Sequence, residues 1–302
     1  MARTIVETPE LHRVGLEGIL EQYSEGLTAI YDDIAPFKVT SNQSYIQYMQ
    51  EGDFGTAPVV TELMPINDDD FFEGYKFNVA PVKRGLGFMM STEADETDQY
   101  GRLSRIVPKI KLAFNQTKEQ LAANRINNAT STSFPYTNPD GAALASASHL
   151  ADGANQSNYM TTAFGPSGLE SMIQDLILTD SHRGLPDPQM GPYDLMIHPQ
   201  QNFLAERVLF SYGQQGEISN DVNRVGRRIR KLISSPYFTN TTFFALRDAN
   251  ASRQPFGHLT ARGIKVRFKE DIDIDALKYR VTERYAFFER GWRGFYYSSG
   301  GG

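Results

Sequence analysis

The stretch from about Ser91 to Asn128 constrains this chain most, because it reads as one amphipathic helix longer than a compact core needs. Apolar side chains fall at Leu103, Ile106, Val107, Ile110, Phe114 and Leu121, the spacing of a single helical face. Arg102, Arg105, Lys109, Lys111, Lys118 and Glu119 take the other face. Ser91 or Thr92 can cap the start, and Glu93, Asp95 and Glu96 suit the positive end of the helix dipole. Gly101 and Pro108 weaken or kink the middle, since proline removes a backbone donor and clashes one turn back. At ~1.5 Å per residue such a helix would span ~55 Å. A rod of that length predicts a wide, thin subunit with arms and sheets attached to it.

The 302 residues suffice for two ordinary domains, or for one large domain with excursions. With 15 Tyr and 19 Phe, the chain can fill a core and still leave large flat side chains for interfaces. A net charge of −6 argues against nucleic-acid binding as the main activity of the whole surface, since phosphate neutralisation needs clustered Lys and Arg. Cysteine is absent, which removes disulfides, thiolate metal sites and cysteine nucleophiles together and fits synthesis in a reducing cytoplasm. The first residues hold no apolar core of signal-peptide length, and no run approaches the ~18 apolar residues of a membrane span. A soluble protein with no membrane partner is expected.

Taken in order, residues 1–44 hold an amphipathic segment from Pro9 to Tyr31 and a linker containing Pro36, which reads as a helix on its own domain or as an arm that docks on a neighbour. Residues 45–90 change to strand character, and two extended segments about Asn67–Asp70, VVTELMPI and YKFNVAPVKRGLGFMM, read as a long hairpin. An isolated ribbon is marginal in water, so its apolar residues Val59, Val60, Leu63, Phe71, Phe72 and Phe77 call for a partner surface. Residues 91–166 comprise the helix and a Gly/Ser/Asn-rich region; 167–254 alternate helix and strand as a compact α/β unit. Residues 255–302 alternate strongly, with Val266, Phe268, Tyr279, Val281, Tyr285 and Phe287 at two-residue periodicity, as a sheet lying on the long helix, before a flexible SSGGG end.

No catalytic constellation emerges. His12, His149, His182, His198 and His258 are scattered, with no metal-binding pair; His149 reads as a turn residue and His198 as a strand end. Asp271, Asp273 and Asp275 would share one face of a strand, where clustered carboxylates suit a divalent cation. Their plainer reading is the solvated face of a hairpin with Ile272 and Ile274 buried. Arg224, Arg227, Arg228, Arg230 and Lys231 form the one dense basic run, able to grip phosphate, to face acids of an adjacent subunit, or to cover one helix. No Walker loop, dinucleotide glycine fingerprint, nucleophile elbow or kinase set is present, so neither an enzyme nor a cofactor or metal is expected.

The order of parts (arm, hairpin, long helix, Gly/Asn-rich segment, α/β unit, terminal strands) resembles the major capsid proteins of tailed bacteriophages, the HK-ninety-seven-like fold family, over nearly the whole chain. FMMSTEADETD entering the helix fits that likeness. DGAALASASH (140–149) is similar to the D-G-x-x-L-x-S-x-x-H segment of one group of phage head subunits, Mu-like ones among them, and PYDLMIHPQQ to the strand and turn that open the second half of such axial domains. The resemblance implies an α+β fold: N-arm 1–44, E-loop 45–90, P-domain with spine helix 91–166, A-domain 167–254 and a return to the P-domain over 255–302. It implies a virion protein assembled in the bacterial cytoplasm as hexamers and pentamers around double-stranded DNA, which it encloses without reading sequence. The same likeness implies a portal, a separate scaffolding protein or none, and room for a decoration protein. Family cross-linking carries over to no residue here. An encapsulin-like compartment shares the fold and is the alternative; a nucleic-acid-binding protein using residues 224–231 is a third reading.

Overall fold

The long stretch folds as expected through its second half. In a computed structural model of the chain, helix α2 (Arg102–Asn127) runs for 26 residues with Pro108 inside it, about 39 Å of rod. The structure describes residues 29–51, 54–62, 65–66, 68–69, 73–93, 102–133, 141–149, 155–211, 224–250, 254–271 and 273–301. Residues 94–101, which would lengthen the rod, and the expected Pro9–Tyr31 segment up to residue 28 lie outside that set. The buried face of α2 differs from the expected one: Phe114, Glu119, Ala122, Ala123 and Ile126 are buried. Glu119, assigned above to the solvent side, is only 5% exposed because a second element covers that side, the short helix α1 (Ile30–Ile34).

Two sheets flank the rod. The first is four-stranded, in the order β1 (Phe37–Thr40), β9 (Phe256–Asp271), β10 (Ala276–Glu289), β4 (Val82–Ser91). Its first pair is parallel and the other two antiparallel, with register Tyr279↔Phe268 and Tyr279↔Phe88. Alternation sends Val266, Leu277, Tyr279 and Val281 toward Phe114 of α2, which is why the two-residue periodicity of β9 and β10 is so clear. Gly257 is needed in β9, since a Cβ there would lie 2.4 Å from the Phe288 ring.

The second sheet is five-stranded, in the order β5 (Tyr159–Met160), β11 (Phe295–Ser298), β8 (Phe244–Asp248), β6 (Tyr193–Ile197), β7 (Ile229–Ser234). Helices α3 (Pro166–Ile177) and α4 (Asn202–Phe210) cover one face through Leu169, Met172, Ile173, Leu176, Ala205 and Val208. The other face joins α2 and the first sheet in the largest core, around Ala122, Ile126, Met196, Ala245 and Phe295. Here two expectations change. Strand β11 leaves the terminal strands on the long helix and inserts between β5 and β8. The chain end is not loose either: Ser299 N–H donates to Met160 O at 3.2 Å, and Gly300 is buried beside Thr242.

Candidate assembly surfaces

The hairpin exists, but its strands are not the expected ones. β2 (Ile46–Glu51) pairs with β3 (Glu73–Val79) in antiparallel register Ile46↔Val79 and Tyr48↔Phe77. VVTELMPI (59–66), expected as a strand, forms none among its described residues, because YKFNV has YIQYMQ as its partner; Ala80–Pro81 then separates β3 from β4, which belongs to the first sheet. A long loop therefore crowns a short ribbon. In it Val59 is 94% exposed, Val60 is 46% exposed, and Phe54 and Ile66 also face solvent. Leu63, Phe71 and Phe72 lie outside the described residues. Phe77 is inside the subunit: it stacks on Tyr48 at 5.5 Å, Tyr48 stacks on Phe288 at 5.1 Å, and Val79 and Ile46 pack with them on Leu259. Asp69 takes both Gly55 N–H, at 2.6 Å, and the Arg183 guanidinium, at 2.8 Å.

The basic run is not one helical face. Arg224 precedes a single 3₁₀ turn (Val225–Arg228), and β7 begins at Ile229. Gly226 sits 2.0 Å, by an added Cβ, from Leu209 O, so only glycine lets this turn pack against the end of α4. Arg230 makes a two-pronged pair with Asp194 at 2.9 and 2.7 Å, and Lys231 reaches Asp33 at 2.6 Å. Arg224, Arg227 and Arg228 are exposed, and Arg228 donates to Met190 O at 3.4 Å. Two of the five cations are thus paired within the subunit.

What the sequence did not disclose is a buried polar seam where the two sheets, α1 and α2 meet. Arg247, in β8, is 1% exposed; it donates to Asp33 O (2.6 Å) and Ile34 O (2.8 Å) at the C-terminal end of α1 and to the buried carboxylate of Asp194. Lys118 pairs with buried Glu283 and lies 5.2 Å over the Tyr285 ring; Arg125 pairs with buried Glu289 at 3.1 Å. Burial raises the pKa of Glu119 against the opposing pull of the Tyr31 and Ile30 amides, which face its carboxylate without closing a well-aligned hydrogen bond. Burial, then the nearby charge of Lys118, pushes His258 down to about 4, and its ring stacks on Phe287 at 4.6 Å. Tyr285 and Tyr31 are pushed up to about 12, again chiefly by burial. These are enclosed structural groups, and none opens on a cleft with a nucleophile.

The remaining candidates resolve similarly. Asp271 ends β9 and pairs with Lys278; Asp273 and Asp275 lie in the turn rather than on a strand, and Asp275 accepts from Thr92 Oγ1 at 2.9 Å. Ile274, expected to be buried, is 54% exposed. Among the described residues no group of three His, Asp or Glu side chains is arranged to hold a metal ion, and no helix is long and apolar enough to cross a membrane. His149 is no turn residue: it is fully buried, stacked on Trp292 at 4.3 Å and 3.0 Å from Asn158 Oδ1. Asn158 also takes Ser146 N–H at 2.8 Å and donates to Leu144 O, so the DGAALASASH segment is clamped to the five-stranded sheet. His198 caps the 3₁₀ turn Pro199–Gln201 by accepting from Gln200 N–H.

A rod between two sheets, a projecting ribbon with an exposed apolar loop, and polar groups spent on internal seams define a shell-forming coat subunit of the HK-ninety-seven-like fold. The family of phage capsid proteins matches residues 74–298, and the chain belongs to it. The capsid of bacteriophage PhiM1 superposes with a TM-score of 0.56 at 10% identity, covering 90% of this chain and 87% of that one. The capsid of cyanophage P-SCSP1u gives 0.57 at 12%, covering 90% and 88%. The SrpI encapsulin of Synechococcus elongatus PCC 7942 gives 0.55 at 12%, covering 92% and 89%. No curated protein sequence matches. The chain is thus a structural, non-enzymatic virion component that associates with copies of itself.

Proposed function

We propose that this chain is the major head subunit of a tailed phage, tiling as hexamers and pentamers into an icosahedral shell around double-stranded DNA. The ribbon of residues 45–90 is the extension that laps a neighbour, and the α/β unit of 167–254 meets its copies around the local symmetry axis. The observation that carries this reading is the loop above β2 and β3: the ribbon base packs on its own subunit, but the exposed valine pair above it has no such cover and calls for another copy. Many modest contacts per subunit then act together, so individually reversible contacts give a stable shell. Portal, scaffold and decoration proteins, and assembly in the host cytoplasm, follow from the same family reading.

Electron microscopy of the chain expressed alone and with its gene neighbours tests this. Closed particles are expected. Replacing residues 54–72 by a short Gly/Ser turn should leave a folded, soluble subunit, by circular dichroism, that makes none. Normal particles from that variant would refute the lapping role. The compartment reading rests on the SrpI likeness, and would be favoured by particles that take up a protein cargo and no DNA. The nucleic-acid-binding reading loses ground because Arg230 and Lys231 are already paired within the chain.

A further inference from the structure

A pocket of about 240 Å³ lies between the rod and the edge of the four-stranded sheet. Its walls include Leu121 and Arg125 of α2, Val79 and Val82 at the step from β3 to β4, Arg84 of β4 and Tyr285 of β10. Register explains why it is there. β4 pairs with β10 only as far as Val82 opposite Tyr285, and Ala80–Pro81 then lead back to β3. β10 runs on through Ala286 and Phe287 with no strand on that side, and both residues line the space left over. The volume is below the ~300–1,000 Å³ of pockets for drug-sized ligands, so it suits something smaller.

Its chemistry is set by one cation. Arg84 Nε and Tyr285 Oη are both buried and without a hydrogen-bond partner, and the Arg84 guanidinium lies 5.6 Å from the centre of the Tyr285 ring. The neighbouring carboxylates are already engaged. Glu283 stands directly across from Arg84 in register but pairs with Lys118, and Glu289 pairs with Arg125. Glu283 Oε2 is left unpaired as well, so Arg84 and Glu283 stand side by side without bonding. Two ion pairs cancel, and Arg84 remains as one uncompensated positive charge, with a donor buried away from water. A buried donor left unpaired is costly, and an anion of single charge would relieve it.

We propose that this pocket binds a monocarboxylate carried on a short apolar stem. Arg84 and the Tyr285 hydroxyl donate to the carboxylate, and the amides of Asn78 and Asn124, which also line the pocket, supply further donors. Val79, Val82 and Leu121 take the stem. Phosphate is the competing anion, but its second charge exceeds the one that Arg84 leaves open, and these apolar walls offer it nothing. A free short-chain acid and the glutamate side chain of another polypeptide present the same chemistry. The site is built within one subunit, so it stands or falls independently of the shell reading.

Saturation-transfer difference NMR on the full chain tests this, since that signal survives whether or not the chain is assembled. The probes are butyrate, its neutral isostere butyramide, butylammonium, inorganic phosphate and the capped tripeptide acetyl-Ala-Glu-Ala-amide. Butyrate or the tripeptide should bind with a dissociation constant of about 1 mM, the range open to so small a contact. The tighter of the two identifies the source, and either upholds the site. Arg84→Gln should weaken binding at least ~tenfold and Tyr285→Phe about threefold, each checked for folding by circular dichroism. Lys83→Gln removes an exposed cation whose side chain alternates to the other face, and should change nothing. Absence of carboxylate binding would mean that the pocket holds water alone and overturns the proposal. So would butyramide, butylammonium or phosphate binding as tightly as the carboxylates, or carboxylate binding unchanged in Arg84→Gln.

Discussion

At the scale of single residues, the fold is set by where charge is hidden. His258 is buried among Phe287, Tyr31 and Tyr285, with the Lys118 ammonium near, and its pKa falls from 6.5 to about 4. Between those values the unfolded chain binds the proton and the folded chain does not, so stability is full above about 6.5 and is lost as pH falls toward about 4. The loss should reach roughly 2–3 kcal/mol. Glu119, with a raised pKa, acts in the opposite sense: the folded chain holds its proton longer, and stability falls as pH rises through the ordinary carboxylate range. His258→Phe should therefore flatten the pH 4–6.5 limb of urea-denaturation midpoints, whereas Glu119→Gln, which removes an opposing slope, should steepen that limb and raise stability at neutral pH. Neither residue could be read as buried from sequence. Glu119 falls on the polar side of the helical pattern of residues 102–127, and only the cover of α1, from seventy residues upstream, turns that side inward.

At the scale of elements, periodicity was legible wherever one local partner decided the burial. The alternation of β9 and β10 predicts their packing on the long helix, whereas the apolar face expected of α2 holds only in part: Phe114 is buried, and Ile110 and Leu121 pack at the margins of two cores. The ribbon shows where such reasoning fails. YKFNV could pair with VVTELMPI or with YIQYMQ on pattern alone, and the longer-range pairing prevails because Tyr48, Phe77 and Phe288 form one aromatic stack. Strand β11 is similar: GFYYSS looks like a continuation of β10, but Trp292 and Gly294 turn the chain into the second sheet. The basic run reads as one object in sequence and is divided after Arg228 into a 3₁₀ turn and a strand. Gly226→Ala should force α4 away from that turn, since its Cβ would sit 2.0 Å from Leu209 O. A loss of about 2–3 kcal/mol is expected, together with faster amide exchange confined to residues 202–210 and 225–234.

At the scale of the whole molecule, the assembly surfaces were legible in kind and not in position. Contiguous runs such as residues 224–231 are visible in sequence, whereas a pocket that gathers Arg84, Leu121 and Tyr285 from three elements appears only once they are packed. In the loop Val59 and Val60 are exposed, while Phe77 is half-buried on Tyr48, a difference that sequence does not show because a stacked aromatic and an exposed one share the same letter. The two sheets are joined by Arg247, which holds Asp194 in one direction and the end of α1 in the other. Arg247→Leu leaves Asp194 facing one fewer cation in a buried site, and should lower the unfolding free energy by about 3–5 kcal/mol in urea titrations. The same arrangement has a mechanical consequence. The C-terminal carbonyls of α1 are gripped from the five-stranded side by Arg247, and its flank is tied there by Lys231 and laid against Glu119 of the rod. A pull applied at α1 is therefore delivered to the joint between the two sheets rather than to either sheet, so it would change their mutual tilt before it frayed a single strand.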